Sequence, residues 1–108
     1  MLAEQIKTNL VHQHLWTDVV IHNTALTDLV HGTPPKTLHP DDPEIRSEWL
    51  VPARSNDDWT IKQWDECFKA AEGVAGKDVD RMLMAIVDND STIVYYFVYK
   101  GLVKPRKN

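Results

Sequence analysis

The chain carries five histidines, the side chains most often used for acid–base catalysis and metal binding. They are His12, His14, His22, His31 and His39. His12 and His14 stand two residues apart on a predicted helix and point to different sides, unlike a helical ligand pair four residues apart. His31 and His39 lie on a proline-rich segment that could bring them together, but no acidic residue stands in a ligand register with them. We interpret the histidines as surface or loop residues and predict no metal or cofactor.

The single cysteine, Cys67, could be a nucleophile, but its position favours a structural role. It lies on the apolar stripe of a predicted helix, where a thiol is usually a small buried hydrophobic group, and no fixed base can be named for it. One cysteine cannot form an internal disulfide, which favours an intracellular protein. The sequence also has no glycine-rich phosphate loop, serine nucleophile elbow or CxxC pair.

The charges divide the chain into an acidic body and a basic tail. The whole sequence has 12 basic and 16 acidic side chains, and its formal net charge is −4. Residues 1–99 hold 8 of the basic groups and all 16 acids. This overall acidity excludes a protein that coats nucleic acid. The other basic groups could contact RNA or a partner. They are Lys100, Lys104, Arg106 and Lys107.

Length and composition predict one soluble domain. A chain of 108 residues is long enough for one core and too short for two ordinary domains. A composition of 43% hydrophobic and 26% charged residues is typical of globular proteins. No apolar run approaches about 18 residues, and the N-terminus lacks a signal-peptide pattern, so neither a membrane span nor a signal peptide is predicted. We predict a single domain over 1–108, with a flexible proline-rich loop at about 31–47 and the basic tail at 100–108.

The first half of the chain predicts one helix and short strands. Apolar residues at helical spacing predict a helix over 2–15, and β-branched residues predict a strand over Thr17–His22. A short edge strand is predicted at Lys36–Leu38 within the loop. Another short strand is predicted at Glu48–Val51, where Pro52 stops it.

The second half predicts the clearest helix and a β-hairpin. Thr60 is the predicted N-cap, Trp59 the hydrophobic staple before it, and Gly73 the end of the helix. Two apolar runs, 81–87 and 92–99, flank a turn of Asn, Asp and Ser and predict the hairpin. The fold class is therefore α/β, with a small mixed or antiparallel sheet and two main helices.

The last strand is apolar on both faces, which a half-solvated sheet would not be. Leaving its rings in water would be costly, because one buried aromatic removes about 150–250 Å² from solvent. We hypothesise that one face or edge of the hairpin is buried against a partner chain. The alternative is that the two helices of this chain cover both faces.

Several segments resemble a known family. Residues 83–105 read Leu-Met-Ala-Ile-Val-Asp-Asn-Asp-Ser-Thr-Ile-Val-Tyr-Tyr-Phe-Val-Tyr-Lys-Gly-Leu-Val-Lys-Pro and resemble the C-terminal hairpin of tRNA-splicing endonuclease subunits. Upstream segments resemble the fungal branch of the small non-catalytic subunit fifteen, in the same order. They are Leu15-Trp16-Thr17-Asp18-Val19, Gly32-Thr33-Pro34-Pro35 and Glu48-Trp49-Leu50-Val51-Pro52.

The resemblance implies the fold of the archaeal tRNA-intron endonuclease C-terminal nuclease domain. Catalytic members of the family cleave precursor tRNA without a metal, using Tyr, His and Lys. Where they have a lysine just before the hairpin, this chain has Asp80, and an acid cannot supply the positive charge that a phosphoryl transition state needs. The resemblance therefore implies a structural subunit that is not itself an enzyme.

The resemblance also implies partners and an interface. The C-terminal strand would pair with the catalytic subunit thirty-four, and subunits two and fifty-four would complete a heterotetramer that acts on precursor tRNA. The isolated chain could form a homodimer. The expected location is the nucleus, or the cytosolic face of the mitochondrial outer membrane in some fungi. The predicted interface residues are Ile93, Tyr95, Tyr96, Phe97, Val98 and Tyr99.

Two functions from other classes stay open at this point. A free-standing RNA-binding module would bind tRNA without a partner, and its affinity would fall steeply with salt. A small metal-independent ribonuclease would cleave precursor tRNA as the purified chain.

Overall fold

The computed structural model describes residues 2–24 and 27–100, which form two helices and one five-stranded sheet. In chain order the elements are α1 (Leu2–His12), β1 (Thr17–Asn23), β2 (Asp28–Thr33), β3 (Glu48–Arg54), α2 (Ile61–Ala75), β4 (Arg81–Val87) and β5 (Ile93–Tyr99). The strands lie side by side in the order of the chain. The predicted α/β class with a small mixed sheet and two helices is confirmed.

The sheet is mixed because the α2 crossover returns the chain to the same end of the sheet, so that β4 runs parallel to β3. Strands β3 and β4 are parallel, with α2 as the crossover between them, and the other neighbouring strands are antiparallel. The β4–β5 pairing is regular along its whole length, from Arg81 opposite Tyr99 to Val87 opposite Ile93. The β1–β2 pairing is interrupted between Thr17 and Val20. The predicted hairpin is confirmed.

Each helix covers one face of the sheet. Helix α1 buries Ala3, Ile6 and Leu10 in a core cluster with Leu50 and Leu83. Helix α2 packs on the other face through the buried side chains Trp64, Cys67, Phe68 and Ala71, which contact the strand residues Leu29, Trp49, Val51 and Met82. The predicted burial of Cys67 is confirmed, and burial raises the pKa of its thiol to about 11. No helix in the described part of the chain is long and apolar enough to cross a membrane.

Both helices begin as predicted but end at different residues. Thr60 caps α2, accepting a hydrogen bond from the Gln63 backbone N–H at 3.1 Å, and the Gln63 side chain accepts one from the Thr60 N–H at 2.9 Å. The α2 helix continues past Gly73 and ends at Gly76, whose φ is +74°. Helix α1 stops at His12 and not at residue 15, because Leu15 takes a φ of +61°.

The staple prediction at the start of α2 is also confirmed. The rings of Trp59 and Trp64 lie 4.9 Å apart, at the positions just before the cap and one turn into the helix. This contact fixes the direction in which the chain enters α2.

Three predictions in the middle of the chain are wrong. Residues 31–33 were expected in the loop but complete β2, which forms between two antiparallel neighbours. No strand forms at Lys36–Leu38, where the described chain makes bends. Strand β3 continues through Pro52 to Arg54. Strand β2 pairs with β3 only at residues 48–50, so one side of β3 is open at Pro52 and tolerates a residue without a backbone donor.

Gly32 in β2 has no room for a side chain. A Cβ at this position would lie 2.9 Å from Cγ2 of Val19 and 3.2 Å from Cε3 of Trp16. We expect Gly32→Ala to lower the free energy of unfolding by about 1–3 kcal/mol, measured by urea denaturation. Gly73→Ala is the matched control. A Cβ there meets no atom within 4 Å, so it should stabilise α2 by about 0.5–1 kcal/mol. Equal effects at both sites would contradict the packing argument.

Candidate subunit interface and a separate cleft

A single helix is too narrow to cover a face of this sheet. Five strands about 4.8 Å apart span roughly 20 Å, whereas a helix is about 10 Å wide. On the α2 face, both margins of the sheet are therefore open. One margin is β5, and the other lies where β1 and β2 run past the C-terminal end of α2.

Strand β5 is the less buried strand of the C-terminal hairpin. All seven of its residues are exposed or half-buried, whereas five of the seven residues of β4 are buried. On the α2 face, Val94 is 40% and Tyr96 is 55% exposed. Within residues 2–24 and 27–100, β4 is the one strand that pairs with β5, so the outer edge of β5 carries free backbone donors and acceptors.

The face of β5 that lies on the α1 side of the sheet packs against residues of this chain. Ile93, Tyr95 and Phe97 pack against the α1 core cluster. The Tyr95 hydroxyl donates a hydrogen bond to Oδ1 of Asn9 at 2.7 Å, and burial raises the pKa of Tyr95. Val98, on the α2 face, packs against the α2 cluster. Of the predicted interface residues, Tyr96 is thus the most available to a partner.

Of the four basic residues predicted to contact RNA or a partner, the structure describes only Lys100. The Lys100 ammonium contacts Oε2 of Glu72 at 2.5 Å, a pair that lowers the pKa of Glu72. This contact ties the end of β5 to α2. Lys104, Arg106 and Lys107 lie outside the described residues.

A buried ionic network holds the loop before β3 against the start of β4. The Arg81 guanidinium, 4% exposed, donates to both carboxylate oxygens of Asp42, at 2.8 and 3.0 Å, and also to Glu48, which is 1% exposed. Its Cζ lies 4.8 Å from the centre of the Phe97 ring. The hydrogen bonds from Arg81 lower the pKa of Asp42, and the two carboxylates raise that of Arg81. One cation thus joins the loop, β3, β4 and β5.

Asp80, the residue just before β4, forms a second ion pair. Its Oδ1 accepts a hydrogen bond from the Arg46 guanidinium at 2.5 Å, and this contact lowers the pKa of Asp80. Asp80 is therefore a carboxylate whose charge is balanced by the Arg46 guanidinium.

A cleft of about 560 Å³ opens beside this ion pair, at the amino ends of β3 and β4. Its wall on the sheet is aromatic: the ring centres of His22 and His31 lie 5.2 and 4.4 Å from that of Trp49. Arg46 and Lys77 line its rim. The residues that the structure describes contain no group of three or more His, Cys, Asp or Glu able to hold a metal ion.

Comparison with known proteins identifies the family. A model of the family described as "Sen15 protein" matches residues 5–108. The chain belongs to the Sen15 family. It is 32% identical over 111 residues to the tRNA-splicing endonuclease subunit SEN15 of Eremothecium gossypii, a match that covers 99% of this chain and 91% of that protein.

A second relative is longer than this chain. The chain is 31% identical over 148 residues to the probable tRNA-splicing endonuclease subunit tsp-1 of Neurospora crassa. The match covers 99% of this chain and 66%, just under two thirds, of that relative. The family resemblance inferred from the hairpin and the Leu-Trp-Thr segment is confirmed.

Two features of the site were missing from the sequence interpretation. Val94 was not among the predicted interface residues, although it shares a face with Tyr96, and the alternation along β5 is the signal that could have identified it. His31 was grouped with His39 on a loop. The structure instead places His31 in β2, with its ring centre 6.3 Å from that of His22.

Proposed function

We propose that this chain is a non-catalytic, structural subunit of a tRNA-splicing endonuclease and that it pairs through β5 with a catalytic subunit. The observation that carries the proposal is the open edge of β5, with Val94 and Tyr96 exposed beside it. A strand added there would satisfy the free backbone groups and cover the exposed side chains. The printed names of the two relatives, both tRNA-splicing endonuclease subunits, support the same assignment.

The proposed assembly follows the family. Subunit thirty-four is the catalytic partner at β5, subunits two and fifty-four complete the heterotetramer, and precursor tRNA is bound by the whole complex. A chain isolated from its partners can offer the same edge to a second copy of itself. A nuclear or mitochondrial-surface location belongs to the same proposal.

The ion pair at Asp80 supports a non-catalytic role. General acid–base cleavage of RNA needs a cation near the reacting phosphate, and the residue at that position is an acid bound to Arg46. We expect the purified chain to leave precursor tRNA intact and the assembled complex to cleave it. Cleavage by the chain alone, free of partner subunits, would favour the ribonuclease alternative.

Charged substitutions on β5 test the pairing. We expect Val94→Lys combined with Tyr96→Lys to lower the affinity for catalytic subunit thirty-four at least about tenfold, because a lysine at an edge opposes the approach of another strand. Co-purification and titration of the two subunits would measure the loss. Both positions are exposed, so the circular dichroism and the melting temperature of the free chain should stay nearly unchanged.

Val20→Lys is the matched control. Val20 is 46% exposed and lies on the same face of the sheet, but on the opposite edge strand, β1. It should leave the affinity for the catalytic subunit unchanged. If the β5 variant still bound with full affinity, or if Val20→Lys weakened binding equally, pairing through β5 would be refuted.

A further inference from the structure

The aromatic cleft lies at the margin of the sheet opposite β5. The described segments that line it are β1, β2, the residues around the start of β3, the end of α2 and the residues that lead into β4. Its volume of about 560 Å³ falls within the range of small-molecule and nucleotide sites. The cleft is therefore separate from the surface proposed for the catalytic subunit.

The wall of the cleft is suited to stacking. The His31 ring lies over Trp49 at 4.4 Å between centres, tilted by 42°, and the His22 ring lies beside both. Trp49 is 6% exposed, so the two half-buried imidazoles form the accessible part of this wall. Flat rings of this kind stack against unpaired nucleobases.

The polar groups that remain available in the cleft are mainly donors. Within residues 2–24 and 27–100, Lys77 forms no ion pair, and Arg46 uses one terminal nitrogen for Asp80. The Ser47 hydroxyl also lines the cleft. Arg81 has no such capacity, because its nitrogens already bond to two carboxylates. Asp78 is the one carboxylate among the lining residues.

The charges felt at the wall favour an anion. Burial lowers the pKa of His31 most, and electrostatic repulsion from His22 and Lys77 lowers it further. Of the acids nearby, Glu48 is buried against Arg81 and Asp80 is bound to Arg46, which leaves Asp78 as the one lining carboxylate. Among the residues that line the cleft, three cations, Arg46, Lys77 and Arg81, stand against one carboxylate, Asp78.

We propose that this cleft binds one unpaired nucleotide of RNA. Lys77 and Arg46 contact its phosphate, and the base stacks against the imidazoles of His22 and His31. The inference rests on the proposed function, which brings precursor tRNA to the complex. It gives the subunit a contact with the RNA that is independent of its contact with the catalytic subunit.

A fluorescent single-stranded oligouridine tests the proposal on the purified full-length chain. Titration should give saturable binding, and the NMR signals of the His22 and His31 rings should shift. We expect His31→Ala to weaken binding about tenfold through lost stacking. Lys77→Gln should weaken it and reduce the salt dependence by about one phosphate contact. Matched controls are His12→Ala on α1 and Lys69→Gln, whose ammonium pairs with Asp65 on α2.

A variant that gains affinity for oligouridine distinguishes a direct effect on binding from a loss of folded protein. Asp80→Asn removes the acid that holds Arg46, so we expect it to strengthen oligouridine binding severalfold, which a destabilised protein would not do. If the oligonucleotide neither bound nor shifted the two imidazoles, or if Lys69→Gln weakened binding as much as Lys77→Gln, the proposal would be overturned. Protection of His22 and His31 by the catalytic subunit, without any effect of RNA, would also overturn it and would assign the cleft to a protein.

The same variants distinguish this proposal from the proposed function. The cleft variants His31→Ala and Lys77→Gln should assemble with the catalytic subunit at full affinity. The β5 variant with lysines at positions 94 and 96 should fail to assemble but still bind oligouridine as well as the unmodified chain. Full-affinity assembly of the β5 variant would overturn the proposed function, whereas unchanged oligouridine binding by the cleft variants would overturn the cleft proposal.

Discussion

Replacing Arg81 by methionine is expected to lower the free energy of unfolding by about 3–5 kcal/mol, because removal of one member of a buried ionic network leaves its partner without compensation. Glu48 is 1% exposed and would lose its hydrogen-bonded cation. The remaining cation, Arg46, lies 3.7 Å from the same carboxylate, beyond hydrogen-bond distance. The change would also release Asp42 and the loop that it anchors to β4.

Urea denaturation followed by tryptophan fluorescence would measure this loss. Arg46→Met is the matched control, since its pair with Asp80 joins side chains that are 40% and 70% exposed, and exposed pairs contribute at most about 1 kcal/mol. Adding Glu48→Gln to Arg81→Met should recover part of the stability because it removes the unpaired charge. A loss below about 1 kcal/mol for Arg81→Met would show that the network contributes little.

Phe68→Ala is expected to lower the free energy of unfolding by about 3–5 kcal/mol through the cavity that it leaves between α2 and the sheet. Phe68 is 1% exposed and packs in the same core cluster as Trp64 and Met82. On the same helix, Ile61 is 48% exposed, so Ile61→Ala should change the stability by about 0.5 kcal/mol or less.

Cys67 provides a direct readout of the Phe68 prediction. It is the one cysteine of the chain, it is fully buried, and it neighbours Phe68 in sequence. Thiol reagents should react with it only when α2 opens. Since each 1.4 kcal/mol is tenfold in an equilibrium, Phe68→Ala should speed labelling by roughly two to three and a half orders of magnitude. Unchanged labelling would mean that α2 opens without involving Phe68.

The elements predicted correctly are those whose causes are local. Thr60 and Gln63 satisfy each other's backbone groups within one turn, and the turn after β4 joins two adjacent apolar runs. Strand β2 has no comparable local signal, because it forms between β1 and β3. The predicted end of β3 at Pro52 was wrong. A proline ends a strand only where its missing N–H would have bonded to a neighbouring strand, and the sequence does not show which neighbours β3 has at that point.

The candidate site could be predicted in part. The apolar pattern of β5 indicated that the hairpin needed further cover, and its exposure agrees with this. The pattern could not show which side chains of β5 pack inside this chain. Tyr95, for example, is hydrogen-bonded to Asn9, which lies 86 residues earlier in the sequence. The aromatic cleft was not predicted, since it joins His22, His31 and Trp49 from three different strands.

The two outer strands of the sheet differ in regularity. Strand β5 is regular from end to end, whereas β1 is broken between Thr17 and Val20 and takes a positive φ at Asp18. Irregularities of this kind block further strand addition. If β5 pairs with a neighbour as proposed, β1 offers no equally regular edge for a second strand, and growth of copies into fibres is disfavoured. A single regular edge favours a closed complex of fixed size.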